Sequence, residues 1–386
     1  MGIKITAVGD LHFGNPRIKA DEMYAKLQQY LYPEILTSHL VLLTGDTYDQ
    51  LTTVSSSANK YALMFIRDLF NMSRQYGIQI RILHGTYSHD RDQVVVFGTL
   101  ISDQVRAKVV DEIYCEEITD FRNSNINSTS DEKLKVLYIP DNLPYKHSED
   151  VIAHIRKILQ VVGWDKVDLV LGHGTFAHAL PNVSEEHLPA CTYKLEQFDE
   201  FVNSNDLIVM GHIHTPSHRA NCYYCGSFER MTHGEEEPKG FFTFIHQTDH
   251  WDARFIEDKE AVKFISIQPQ GDTTDSIVND YIRQVDEDFP DHKGWVRVLS
   301  NSSEIRTLLH TVTVQKYPEL KYSSKAISDE KLAIKIADIS LEAFDDIKPN
   351  VHNLGDLVYQ FLNEKSLLGN LTKEIVVEKV HKLILK

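Results

Sequence analysis

The run Leu40-Val41-Leu42-Leu43 sets four apolar side chains in succession, and Thr44-Gly45-Asp46-Thr47-Tyr48-Asp49 follows at once. Successive side chains of a strand point to opposite faces, so a run this apolar needs both faces covered. It therefore predicts a central strand, layered between other elements. Gly45 breaks the strand and delivers Asp46 and Asp49 at its carboxyl end, the edge of an α/β sheet where sites are built. Gly-Asp after a strand is also ordinary turn chemistry. What the other strands end in decides between turn and site.

The same arrangement recurs. Lys4–Val8 ends at Gly9-Asp10-Leu11-His12, and Ile78–Leu83 ends at His84-Gly85-Thr86-Tyr87-Ser88-His89-Asp90. Val167–Leu171 ends at Gly172-His173-Gly174, and Leu207–Met210 at Gly211-His212-Ile213-His214. Helical patterns lie between them: Asp21 to about Thr37 with Asp21 as N-cap, Ser55–Tyr76 closed by Gly77, Asp92–Ser102, and His147–Val162. The alternation predicts an α/β fold with a sheet covered on both faces. From about Asn221 the chain turns to short strands (Cys222–Tyr224, Phe241–His246, Ala253–Glu257), which predicts antiparallel pairing on a second sheet.

Composition narrows the class. A chain of 386 residues is long for one core. It has no apolar run near the roughly 18 residues of a membrane span, so no membrane partner is expected. The start, MGIKITAVGD, enters a strand directly and lacks a signal-peptide layout. Four cysteines suit a reduced, cytoplasmic protein. The Cys222-x-x-Cys225 pair has no second pair at metal spacing and reads as ordinary strand thiols rather than a zinc site. A formal charge of −16 argues against a general nucleic-acid coat, but not against a polyanion held through bound cations.

Any single strand-end Asp or His has a bland reading as a turn former or a satisfied polar group. Five strand ends of one chemistry do not. Mixed Asp and His donors favour divalent metals such as Mn²⁺, Fe²⁺ or Zn²⁺ over thiolate-bound structural zinc. The ligands outnumber what one tetrahedral ion takes, so two ions about 3.5–4 Å apart, bridged by a carboxylate, fit better.

GDLH, GDTYD, SHD, GH and GHIH, in this order over residues 9–214, resemble the calcineurin-like metallophosphoesterase superfamily. The resemblance implies a two-layered β-sandwich flanked by helices. It implies that Asp10, His12 and His214 bind a first metal, that Asp46 bridges, and that His173 and His212 bind a second. His89 would protonate the leaving oxygen, with Asp49 and Asp90 standing behind the ligands. One departure stands out: Ser88 occupies the place where the family has a metal-binding Asn, and a hydroxyl is a shorter, weaker donor. Asp90 either reaches the metal instead or caps its turn.

A second resemblance carries the substrate class. Tyr224-Cys225-Gly226-Ser227-Phe228-Glu229-Arg230, followed by Gly234 through Phe241, is similar to the matching segment of SbcD-type DNA double-strand-break repair nucleases, including those of phage recombination. It implies a nuclease domain over residues 1–258, a small α/β DNA-facing cap over 259–335, and a helical partner-binding segment over 336–386. It further implies Mn²⁺ as the metal before Mg²⁺, Fe²⁺ or Zn²⁺. The implied partners are DNA, an SMC-like coiled-coil ATPase of SbcC type and a second copy of the chain, in a bacterial or phage-infected cytoplasm. Arg219, Arg230 and Lys239 are the candidate phosphate contacts. Two rivals remain: another phosphoesterase of the superfamily, or a non-catalytic DNA-end scaffold whose second metal site has weakened at Ser88. The tail 354–385 has apolar residues at helical spacing, suited either to its own domain or to a partner helix.

Overall fold

The computed structural model describes residues 2–180, 183–189 and 191–326. The fold is mixed α/β, and its larger unit spans Met1–Ile265 with Lys293–Trp295. The strands of that unit run β1 (Lys4–Val8), β2 (Leu40–Leu43), β3 (Gln79–Leu83), β4 (Ala107–Val110) and β5 (Tyr114–Ile118). A small ribbon of β6 (Phe121–Asn123) and β7 (Ser128–Ser130) follows, then β8 (Leu134–Ile139) and β9 (Val167–His173). β10 (Thr175–Phe176) and β11 (Thr192–Tyr193) pair with each other. The chain continues through β12 (Val202–Gly211), β13 (Ser217–Arg219), β14 (Cys222–Tyr224), β15 (Gly240–His246) and β16 (Trp251–Glu257).

Two six-stranded sheets form the centre, ordered β16-β15-β1-β2-β3-β4 and β13-β14-β12-β9-β8-β5. β1 to β4 run parallel, and so do β8, β9, β12 and β14. The late strands therefore depart from the expectation of a separate antiparallel sheet. β15 and β16 add antiparallel to the free edge of β1, and β14 joins the other sheet in parallel. Local sequence shows the strands but not which open edge each one completes.

Alternation along β2 explains the layering. Leu40 and Leu42 enter the core between the sheets with Ile5, Val136, Leu171 and Val209. Val41 and Leu43 face the other way, onto Met23, Leu27, Phe65 and Leu69 of the flanking helices. On the far side, Leu137, Ile139 and Val170 pack against Ile152, Ile155 and Leu159 of the helix Ser148–Val162. Each such side chain stabilises the fold by about 1.5–3 kcal/mol on burial, so both faces of both sheets are committed to packing. Polar chemistry is left to the strand ends. The helix Ser57–Tyr76 begins at Ser56, whose side chain accepts from Asn59 N, and stops at left-handed Gly77. The helix near residue 20 starts one residue before Asp21, at Ala20, and takes a π-helical turn over Leu27–Leu31.

Among the described residues, a second unit comprises Ser266–His292 and 296–326. It contains the helices Thr274–Asp288 and Ser303–Lys316, with Tyr281, Val285 and Leu309 buried. Residues 327–335 and the proposed partner-binding segment 336–386 lie outside the described residues. Among the described residues no helix is long and apolar enough to cross a membrane.

Candidate metal centre

The parallel register of β1 and β2, with Val8 opposite Leu43, continues into the loops. Asp10 N donates to Gly45 O at 3.0 Å and His12 N to Asp46 O at 3.0 Å, which sets Asp10, His12 and Asp46 side by side. In the other sheet, His173 lies opposite Gly211 across β9 and β12. The sheets are tied where they meet: His212 N donates to Asp10 Oδ1 at 2.9 Å.

Backbone strain concentrates at this edge. Asp10 (φ 49°), His12 (φ 50°), Asp46 (φ 49°) and His212 (φ 90°) all adopt left-handed conformations. Strain of this kind costs on the order of 1–3 kcal/mol per residue and persists where surrounding structure holds it. Gly45 has φ 104°, and a Cβ there would lie 2.3 Å from His173 Nδ1. A Cβ on Gly85 would lie 2.2 Å from Asp46 Oδ1. Only glycine permits these loops to close on one another.

Three overlapping groups result, each with donor atoms within 4.8 Å of one another: Asp10, His12 and His214; Asp46, His173 and His212; and His12, Asp46 and His89. Asp46 joins them. Its Oδ2 lies 3.8 Å from His12 Nε2 and 3.4 Å from His173 Nε2. Hydrogen bonds behind the rings assign the atoms that face inward. His173 Nδ1 donates to Thr44 O at 2.7 Å, which turns Nε2 toward Asp46. His89 Nδ1 donates to Asp49 O at 2.5 Å, and its ring meets His12 edge-on. His12 Nε2 and His214 Nε2 stand 3.1 Å apart, two convergent imidazole nitrogens on side chains of which His12 is fully buried. Paired nitrogens of this kind, flanked by carboxylates and fixed from behind, form a donor set that fits a divalent cation.

The electrostatics point the same way. Burial would raise the Asp46 carboxyl, but His173 outweighs it and holds the group well below the carboxylate range. Burial would depress His173, but Asp46 lifts it to about 10. His212 goes the other way, to about 4, through burial and the neighbouring His173 charge. Asp10 is raised, chiefly by burial.

Several expected residues stand elsewhere. Ser88 is exposed on the one-turn helix Tyr87–Asp90. Thr86 takes its expected place, with Oγ1 3.3 Å from His173 Nε2 and 3.4 Å from His212 Nδ1, and its N donating to Asp46 Oδ1 at 2.6 Å. The expectation for Ser88 fails because Ser88 is exposed within the helical turn Tyr87–Asp90, while Thr86, which precedes that turn as its N-cap, lies against His173 and His212. Asp90 is buried and ties two loops, accepting from Tyr48 N at 3.0 Å and Gly85 N at 2.8 Å. Asp49 accepts from Asn15 at 3.1 Å and lies 3.3 Å from His12 Nδ1.

Lys239 is not a phosphate contact. It is buried, pairs with Glu235 at 2.7 Å and donates to His214 O at 2.8 Å. Glu235 Oε1 in turn lies 3.6 Å from His214 Nδ1. Burial would raise the Glu235 carboxyl, but His214 and Lys239 hold it at about 2. Arg230 spends its guanidinium on Ala261 O and Glu237 O, bracing its own segment, while Arg219 is exposed on β13. All four cysteines are free, and burial pushes the Cys222 and Cys225 thiols up.

Thr86, Glu235 and Asp141, the last accepting from Thr86 Oγ1 at 3.2 Å, also stand at the centre and are not among the residues the sequence singles out. Asp141 follows β8 as Asp10 follows β1, so the strand-end rule would have found it, had the intervening Pro140 not masked the pattern.

No family model matches the chain, and no curated protein matches it. Among solved structures, one titled "GAP50 the anchor in the inner membrane complex of Plasmodium" is 15% identical, covering 67% of this chain and 85% of that one, with a TM-score of 0.42. A likeness of that size carries no argument about fold or function.

Proposed function

We propose that this chain is a dinuclear-metal phosphodiesterase that cleaves DNA, working as a homodimer with an SMC-like coiled-coil ATPase in the cytoplasm. The observation that carries the reaction class is the chain of three overlapping donor groups, Asp10–His12–His214, His12–Asp46–His89 and Asp46–His173–His212. The DNA substrate and the ATPase partner rest on the resemblance over residues 224–241.

In this reading Asp10, His12 and His214 hold one divalent ion, His173 and His212 hold the other, and Asp46 lies between. Such a pair, Mn²⁺ in the first instance, supplies charge neutralisation for a phosphodiester and acidifies a bound water. The protein's share is positioning. The Asp49 carbonyl accepts from His89 Nδ1 and so orients the ring, and only when Nε2 carries a proton as well can that second proton pass to the leaving oxygen. The Gly45 and Gly85 turns close the loops tightly enough to fix these groups before substrate arrives.

For the homodimer, Leu51, Val54, Tyr87, Val95, Val96 and Leu100, each exposed, are the side chains this reading would cover with the second copy. Val96→Glu should sediment as a monomer against a dimeric parent; an unchanged dimer removes this face from consideration.

The function is tested by incubating the protein with Mn²⁺ and linear duplex DNA, beside a phosphopeptide and a cyclic nucleotide. Cleavage of DNA that is lost in His89→Ala, with DNA binding retained, is the expected result. Activity confined to the small substrates would refute the nuclease reading.

A further inference from the structure

Asp10–His12–His214 and Asp46–His173–His212 each bring one carboxylate to two imidazoles. Asp46 Oδ2 also lies 3.8 Å from His12 Nε2, so the second group holds no carboxylate of its own. We infer that Thr86 and Asp141 complete the second site, Thr86 as a hydroxyl ligand and Asp141 as the carboxylate that orients and polarises it. This rests on the dinuclear reading above.

Geometry carries the assignment. Thr86 Oγ1 donates to Asp141 Oδ2 at 3.2 Å. Its hydrogen is thereby directed away from the centre, and its lone pairs are left for the side where His173 Nε2 and His212 Nδ1 lie at 3.3 and 3.4 Å. A hydroxyl has one donor and two acceptor sites, so this is the orientation a metal ligand requires. The backbone fixes the same residue from behind, because Thr86 N donates to Asp46 Oδ1. Gly85 is what lets it approach, since any side chain there would collide with Asp46.

Asp141 supplies what a neutral hydroxyl lacks. One bond removed from the ion, its carboxylate adds a negative charge to a site with a single shared anion. It also draws the hydroxyl proton toward itself, which makes Oγ1 a better donor to a cation. Carboxylates behind a ligand act in this way in metal sites generally, and their removal costs about 10–100-fold in affinity. Asp141 N is itself held to His84 O, which keeps the β8 end in place. A two-residue hydroxyl–carboxylate relay thus does the work expected of one amide side chain at Ser88.

The test is Mn²⁺ stoichiometry and affinity by calorimetry, with electron paramagnetic resonance to separate coupled ion pairs from isolated ions. The parent should bind two ions per chain with a coupled signal. Thr86→Val, close to isosteric, should weaken the second ion by about 10–100-fold and leave an isolated-ion spectrum, and Asp141→Asn should do so to a lesser degree. Thr86→Ser keeps the hydroxyl and should restore the coupled signal, which separates ligation from folding. Two coupled ions of unchanged affinity in both Thr86→Val and Asp141→Asn would overturn the inference alone. A parent that binds no Mn²⁺ would overturn the dinuclear reading and this inference with it.

Discussion

The two halves of the centre are built differently. The first draws Asp10 and His12 from one strand end, two residues apart, and receives His214 propped from behind by Glu235 and Lys239. The second gathers His173 from β9, His212 from the turn after β12 and Thr86 from the loop after β3, with the Thr44 carbonyl and Asp141 behind them. One half is a local motif with a distant buttress. The other is assembled almost entirely by topology. Ligands close in sequence are positioned by one turn, whereas ligands from several strands depend on every sheet register being right. The second half is therefore expected to be the more easily lost, and Asp46 is where loss of one becomes loss of both.

Asp46→Ala removes the shared carboxylate and should lower activity on the order of 10⁴-fold, the scale seen when a group acting in a concerted set is deleted. Retained activity would dissolve the comparison, since neither half would then depend on the bridge. Glu235→Gln should cost the first half about 10–100-fold in metal affinity while sparing the second. Equal weakening of both ions in a Mn²⁺ titration would show that the buttress does not belong to one half.

A pH effect follows with a definite sign. His173 is raised from its ordinary value to about 10 in the metal-free protein, so it is protonated at neutral pH. Its pairing with Asp46 stabilises the metal-free fold fully below the unfolded pKa of about 6.5 and is lost as pH rises through about 10. Metal uptake near pH 7.5 should accordingly release a proton from the second half, and affinity there should fall as pH is lowered. Calorimetry in buffers of different ionisation enthalpy measures this; heats that do not vary with buffer would contradict it. The smallest effect is expected of Ser88→Ala, which should change neither metal binding nor activity by more than about twofold, because its side chain is exposed.

Much of this was legible in the chain. The α/β class follows from the apolar runs and their Gly-rich ends, because burial on two faces and a broken strand leave local signatures at Leu40–Leu43 and Gly45. The donors Asp10, His12, Asp46, His173, His212 and His214, which the structure brings together, each sit at such an end. What was not legible depends on distance or on the geometry of a turn. Thr86 and Ser88 differ by two residues, and no local rule says which of them a tight turn presents to His173. Lys239 reads as a surface cation until its partners Glu235 and His214 O are known. The placement of β15 beside β1 is set by which edge stood open, a property of the whole sheet.

The central claim is that two divalent ions share Asp46. Anomalous diffraction from crystals grown with Mn²⁺ tests it directly. The account predicts two peaks about 3.5–4 Å apart, one among Asp10, His12 and His214 and one among His173, His212 and Thr86, with Asp46 between them. A single peak, or two that do not share the Asp46 carboxylate, would contradict it.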